Sequence, residues 1–382
     1  MRFLRRVLLV ILISYLALFG LTKAIRYPDP VSAIRLGLAP ASQTPNLMPS
    51  HEIAPSNSPI AIPTSSEAMP AEVQYAKEMI SWEDFLSSTY TNAFLVIRNG
   101  VLTHEWYRDS FDPSTRFPSY SVAKTMTSIM IGRLVQEGKV NESDSFIDFF
   151  PEFKNGTSFD RVTVRSLLDM QSGVGVSDDY PTGPQGWGVA IAQMYATTDL
   201  HWFIGNNRKM AFEPGSSAEY RSVDTQMLGM IIKKVTGEKI ADYFSETVWK
   251  PLGTEFKATW NVDRPDGTEK TFCCFNAAAR DYGRVGLAIL NAGYAGSNRI
   301  ISADWIERMS TPVVQLDHGW GYGAQVWHPY PDTSMALGLY GQFIFVDPKT
   351  RTVIVKLSDN PPGSDTEEPT AEVLYTLSRS KI

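Results

Sequence analysis

The sequence predicts an α+β fold, an α/β sandwich: one antiparallel β-sheet flanked by N- and C-terminal helices, with an inserted all-helical region over about residues 121–310. Three observations predict it. Two β-rich runs come early in the folded part, three come late, and the stretch between them has helical patterning. Strands drawn from both ends of a chain can share one sheet only if the middle is carried as an insertion.

The elements follow in order. Arg2, Arg5 and Arg6 precede an apolar run over 7–21, and Thr22 and Lys23 close it. Positive charge before a hydrophobic stretch is the layout of an export signal. The run is long for a cleaved signal and short for a relaxed membrane span. Residues 1–26 are therefore read as a signal or membrane anchor. The expected location is the bacterial cell envelope, anchored in the inner membrane facing the periplasm, or exported. Residues 27–70, rich in Pro, Ser, Ala and Thr with few large apolar residues, read as a tether.

The folded domain is expected over 71–382, opening with a helix sketched by Val73, Ala76, Met79 and Ile80. Asn99-Gly100 between the β-rich runs 93–98 and 101–107 is a strong hairpin signal. Ser121 opens a helix with Val122, Met126, Ile129, Met130 and Leu134 on one side. A second helix spans 225–235 and stops at Thr236-Gly237, a third spans 276–292 and stops at Gly293, and Ser302 caps a short fourth. Strand character returns at 322–327, 337–346 and 352–357, the last two joined by Asp347-Pro-Lys-Thr350. A final helix begins near Pro369, a residue favoured at the first helical position.

Composition excludes several classes. A net charge of -6 argues against a phosphate-binding surface, so no nucleic-acid partner is expected. The two cysteines, Cys273 and Cys274, are adjacent, so no disulfide framework is expected and the pair reads as small buried packing. Five scattered histidines show no metal-ligand spacing, and no metal or cofactor is expected. Gly319-Trp-Gly-Tyr-Gly-Ala324 lacks the strand-then-helix setting of a dinucleotide loop. No Gly-x-Ser-x-Gly elbow occurs, and no histidine has a context suited to a triad.

The chemistry lies in Ser121-Val-Ala-Lys124. Positions i and i+3 share a helix face, so the Lys124 nitrogen can reach the Ser121 hydroxyl. A serine hydroxyl is a poor nucleophile until a neighbour takes its proton, and a desolvated lysine can be that neighbour. Alone the motif is weak, since Ser378-Arg-Ser-Lys381 matches it too. Its setting is informative: Ser121 follows the early hairpin and leads an apolar helix ending in Glu137-Gly-Lys-Val140. Downstream come Glu213-Pro-Gly215, Tyr220-Arg-Ser222, Thr225-Gln-Met-Leu-Gly229 and Leu339-Tyr-Gly-Gln342.

This order resembles the serine β-lactamase and penicillin-binding-protein superfamily over about residues 71–382. It is closest to class C β-lactamases, D-alanyl-D-alanine carboxypeptidases, related esterases and aminohexanoate-oligomer (nylon-oligomer) hydrolases. The resemblance implies a β-lactamase-like fold and a serine hydrolase cleaving an amide, ester or lactam through an acyl-enzyme. Its alternatives are a membrane-tethered penicillin-binding sensor and a D-alanyl-D-alanine carboxypeptidase-like cell-wall protein.

Residue by residue, it implies Ser121 as nucleophile and Lys124 as its activator. Tyr220 matches the tyrosine of the Tyr-x-Asn motif, which serves as general base and then protonates the leaving group. Ser222 stands where that motif has Asn. Leu339-Tyr340-Gly341 falls where the Lys-Thr-Gly strand lies, without its lysine, so Tyr340 is a candidate hydrogen-bond partner for a neutral substrate. Gly341 would admit substrate backbone, and the N–H groups of Gln342 and Ser121 would form the oxyanion hole. Met170-Gln-Ser-Gly173 followed by Asp178-Asp-Tyr180 resembles the nylon-oligomer branch, which makes Tyr180 either a substrate contact or a loop aromatic shielding the entrance.

Overall fold

The computed structural model describes residues 2–179, 189–361 and 363–380. Among them an eight-stranded antiparallel sheet runs in the spatial order Val314–Gln315, Gly321–Gly323, Val326–His328, Ser334–Gly338, Gln342–Asp347, Thr352–Ser358, Thr91–Arg98, Val101–Tyr107. Early and late strands meet where Ile354 lies opposite Val96. The alternation expected of a strand is explicit in Thr91–Arg98. Ala93, Leu95 and Ile97 face a core shared with the Ala279–Leu290 helix and the insertion. Phe94 and Val96 face the Trp82–Ser88 and Glu367–Arg379 helices. Two helical layers thus cover the sheet, the arrangement that buries both faces.

The Asn99-Gly100 hairpin, the helix Ser222–Thr236 stopped at Gly237 (φ 71), and the Ser302 cap on Ala303–Ser310 all form as expected. Several expectations are corrected. Residues 72–81 make a hairpin, Glu72–Tyr75 against Glu78–Ser81, because Ala76 and Lys77 take left-handed conformations (φ 49 and 72) that reverse the chain. The single strand expected over 337–346 is two strands. Tyr340 (φ 64) and Gly341 (φ 82) turn between them, with Gly338 opposite Gln342. The run 322–327 likewise folds back at Ala324 and Gln325. The insertion is not all helical. Residues 276–292 begin as the strand Phe275–Ala278, which pairs with Ala258–Asn261 and with Arg116–Pro118.

Residues 27–70 are not a free tether. Ser50–Ile53 pairs with Ala258–Asn261, and Leu36, Ala41, Thr44, His51 and Ile53 are buried. His51 Nδ1 lies 2.7 Å from the buried Glu269 carboxylate, which also accepts from the Ala241 amide at 3.0 Å. Burial alone would raise the Glu269 carboxyl, but these partners hold it below the ordinary carboxylate range. Cys273 and Cys274, expected to be unpaired, are joined in a disulfide at a turn where Cys274 has φ 68; both are buried. The helix Arg2–Ala24 is long and apolar enough to cross a membrane, with a mean hydropathy of 2.2.

Removing residues 1–24 is expected to leave the domain folded, whereas removing 1–70 strips a strand and the His51 partner from Glu269. An unpaired buried charge costs about 3–5 kcal/mol, or roughly 6–20 °C in a domain of this size. Thermal denaturation of the two truncations checks it, and equal midpoints would show that the segment only lies on the surface.

Candidate active site

The Arg116–Pro118 strand delivers the chain into a tight turn over Tyr120–Val122, after which the helix Ala123–Gln136 begins. Tyr120 sits at φ 43, a conformation costly for a residue with a side chain. It is held there by an aromatic contact with Tyr340 (4.7 Å) and by Thr44, whose Oγ1 lies 3.3 Å from its hydroxyl. The Ser119 amide donates to Phe275 O at 2.7 Å. So pinned, the turn presents Ser121, half-buried, at the floor of a pocket of about 380 Å³.

One helical turn on, Lys124 is 1% exposed. Its Nζ lies 2.8 Å from Ser121 Oγ, 2.9 Å from Ser222 Oγ and 3.0 Å from Phe272 O. Burial pushes the ammonium down to about 8, against the pull of Asp178 and Asp224. Tyr220 stacks on Trp327 at 5.3 Å, and its ring lies 4.8 Å from Lys124 Nζ. Burial and the Asp178 charge push its hydroxyl well above the ordinary phenol range, opposed by a hydrogen bond with Ser121. Near neutrality, therefore, a fraction of the lysine is the neutral amine, while the phenol keeps its proton.

The remaining expected residues fare unequally. Ser222 opens the helix Ser222–Thr236 beneath Lys124 instead of lining the pocket wall. Tyr340 packs on Tyr120, the residue before Ser121. Gly341 sits at the hairpin tip, and the Gln342 side chain is occupied by Leu339 O, Tyr340 O and Ser358 O. Neither is among the described residues that line the pocket, and Tyr180 lies outside the described residues. Gly338 instead meets Ser121: a Cβ there would press into Ser119 O and lie 3.0 Å from the Ser121 amide nitrogen. The backbone beside Ser121 in the pocket is thus that of Gly338 and Leu339.

Sequence reasoning missed Asp178, Gly338 and Trp327, all of which line the pocket. Asp178 accepts from the Ser222 amide at 2.7 Å and from its hydroxyl at 2.5 Å. The described lining also includes Asp179, Glu219, Asp317 and Glu367, and no lysine or arginine is among the described residues that line it. Arg221 is spent on Val174 O and Glu219, and Arg280 on Glu105 and Glu255, so neither supplies a cation to the pocket.

An α+β sandwich with a serine hydroxyl against a buried lysine and a tyrosine defines a class of serine hydrolase. The family model described as Beta-lactamase matches residues 90–377, and the chain belongs to that family. It is 29% identical over 300 residues to the 6-aminohexanoate-dimer hydrolase of Paenarthrobacter ureafaciens, covering 73% of this chain and 75% of that one. A solved structure from Bacillus anthracis, provisionally named a 6-aminohexanoate-dimer hydrolase, superposes with a TM-score of 0.77 at 24% identity. That match covers 92% of this chain and 94% of that one. A family VIII carboxylesterase superposes with a TM-score of 0.61 at 20% identity, covering 77% and 95%. The β-lactamase-like α+β fold expected from sequence is the fold observed.

Because the Lys124 ammonium is pushed down to about 8, acylation of Ser121 is expected to be slow at pH 6, to rise with pH and to level off above about 8. The neutral amine is the form that accepts a proton, so the loss falls on the acid side. The rate of fluorophosphonate labelling measured from pH 5 to 10 checks this. A rate falling with pH over that range would rule out Lys124 as the acceptor.

Proposed function

We propose that this serine hydrolase cleaves a linear amide or ester through an acyl-enzyme on Ser121. The observation that carries the reading is the 2.8 Å contact between Lys124 Nζ and Ser121 Oγ at the floor of an open pocket. Ser121 Oγ attacks the substrate carbonyl carbon while its proton passes to neutral Lys124. The developing oxyanion is met by the Ser121 amide and by backbone of the 338–339 stretch. Tyr220 donates its hydroxyl proton to the leaving nitrogen or oxygen and is restored from Lys124. Water then attacks the acyl-ester carbonyl as Lys124 takes its proton; the bond to Ser121 Oγ breaks, Lys124 returns the proton to that oxygen, and the acid is released. This assigns the base to Lys124 and the acid to Tyr220, which divides the double duty expected of the tyrosine from sequence.

The pocket supports a substrate preference. Five carboxylates line the described part of the pocket. Glu219 is paired with Arg221, and Glu367 lies 3.6 Å from His318. The net negative charge that remains disfavours a substrate carrying its own carboxylate beside the scissile bond, as penicillins and cephalosporins do. Uncharged esters and linear amides bearing an amine meet no such repulsion. The names of two relatives, a 6-aminohexanoate-dimer hydrolase and a family VIII carboxylesterase, agree with this choice. The same pocket charge disfavours the penicillin-sensor and carboxypeptidase readings. The Arg2–Ala24 helix supports attachment to a membrane, with catalysis in the bacterial envelope.

Ser121→Ala is expected to abolish fluorophosphonate labelling and to lower turnover by several powers of ten while leaving the circular dichroism unchanged. Labelling that survives the substitution would sink the assignment. Lacking one charge-assisted hydrogen bond, worth about 1.5–3 kcal/mol, the enzyme should show kcat/KM for a cephalosporin about 10–100-fold below that for a short acyl ester. A clear advantage for the cephalosporin would show that the pocket reading is wrong.

A further inference from the structure

We infer that Asp178, acting through Ser222, is a positioning residue that turns the free electron pair of Lys124 toward Ser121. The inference rests on the proposed role of Lys124 as base. It follows from counting protons. A neutral amine offers two N–H donors and one lone pair. Three oxygens surround Lys124 Nζ, those of Ser121, Ser222 and Phe272, at 2.8, 2.9 and 3.0 Å. The Phe272 carbonyl can only accept. The Ser222 hydroxyl could do either, and the outcome decides where the lone pair points.

Asp178 decides it. Its Oδ2 lies 2.5 Å from Ser222 Oγ and its Oδ1 2.7 Å from the Ser222 amide, so the carboxylate grips the residue at two points. A carboxylate only accepts, so the single Ser222 proton goes to Asp178 and the hydroxyl is left as an acceptor toward Lys124. Both amine hydrogens are then committed, to Ser222 and to Phe272, and the lone pair faces the Ser121 hydroxyl. Without the carboxylate, Ser222 is free to donate to Lys124 and draw the lone pair away. An asparagine at position 222, as in the Tyr-x-Asn motif, would present an amide oxygen that accepts unaided; a serine needs a director.

The groups facing the amine are few. Asp224 bonds Ser172, and burial pushes its carboxyl up to about 8, opposed by Ser172 and Arg221. Tyr220 presents its ring to the amine, and so does Phe272, at 6.0 Å. Burial pushes the Asp178 carboxyl above its ordinary range, and the Lys124 charge, the two Ser222 hydrogen bonds and the Arg221 charge all pull it back toward the ionised form. Of these, Asp178 alone is hydrogen-bonded to Ser222 among the described contacts.

The test is the pH profile of p-nitrophenyl acetate hydrolysis by the full chain in detergent, for Asp178→Asn, Ser222→Ala, their double variant and Ser222→Thr. For Asp178→Asn we expect kcat to fall about 10–100-fold with KM nearly unchanged. The acid limb should move down by about one pH unit, because losing the carboxylate charge lets Lys124 deprotonate more easily. The double variant should be no slower than the slower single, and Ser222→Thr should stay near the parent. An unchanged kcat and acid limb in Asp178→Asn, or losses that multiply in the double variant, would overturn the inference. A lowered melting temperature with an unmoved pH profile would overturn it as well, as a structural role only. Should Asp178→Asn fail to fold, Ser222→Ala against Ser222→Thr reads the same link: a loss restored by threonine supports it, and equal rates reject it. Loss of this inference leaves Ser121 labelling intact, whereas failure of the catalytic reading shows as labelling that persists in Ser121→Ala.

Discussion

An amine held out of water is the constraint around which the structure is organised. Lys124 is almost fully buried, and removing an ammonium from water costs several kcal/mol unless it is well hydrogen-bonded or gives up its proton. The fold supplies both remedies, with three oxygens in reach and a pKa brought down to about 8. Those oxygens come from three segments that must hold register. Thr127 Oγ1 donates to Thr271 O, and Thr271 Oγ1 donates to Thr225 O. The Gln226 side chain donates to Glu269 O and accepts from the Thr271 amide. These buried polar contacts tie the Ala123–Gln136 helix, the Ser222–Thr236 helix and the 269–272 turn at the level where Lys124 meets Ser222 and Phe272. Polar side chains facing a core are costly unless every partner is present, so such a network fixes one arrangement of the helices rather than several.

The sheet performs the complementary task of bringing backbone to Ser121. Ser334–Gly338 ends against the Tyr120–Val122 turn, and only a residue without a Cβ fits between Ser119 O and the Ser121 amide. The approach depends on contacts remote in sequence, since the late strands are anchored by the Thr352–Ser358 pairing with Thr91–Arg98. The insertion that carries Ser222 and Phe272 is thereby closed from both sides.

What the sequence revealed divides along contact range. The Ser121–Lys124 contact was legible because the i, i+3 spacing is local geometry, and the Asn99-Gly100 hairpin and the Gly237 stop were legible for the same reason. Asp178 was not, because its partner Ser222 lies 44 residues away and no local pattern marks the pair. The backbone that lies beside Ser121 is that of Gly338 and Leu339, three residues before the pair the strand pattern suggests. Leu339 and Tyr340 are apolar enough to pass as strand, and the reversal depends on left-handed backbone at Tyr340 and Gly341 that composition signals only through the glycine. The short strands at 258–261 and 275–278 were hidden inside an apolar, helix-like stretch, since short apolar runs have no distinguishing period.

The 27–70 segment shows why composition misled there. A stretch of Pro, Ser, Ala and Thr cannot build a core of its own, yet it can be held by donors and acceptors that the domain provides. Asn261 Nδ2 donates to Pro45 O at 3.0 Å and to Met48 O at 3.2 Å, and Asp359 accepts from the Ser42 amide and hydroxyl, both at 2.7 Å. Proline lacks an N–H but keeps a carbonyl, so it suits a strap whose partners are side-chain donors. On its way the strap touches the Tyr120–Val122 turn, where Thr44 meets Tyr120 one residue before Ser121. The strained backbone at Tyr120 is therefore supported from one side by the Tyr340 hairpin and from the other by chain emerging from the N-terminal helix. The geometry at Ser121 thus rests on a segment that composition alone would set outside the fold.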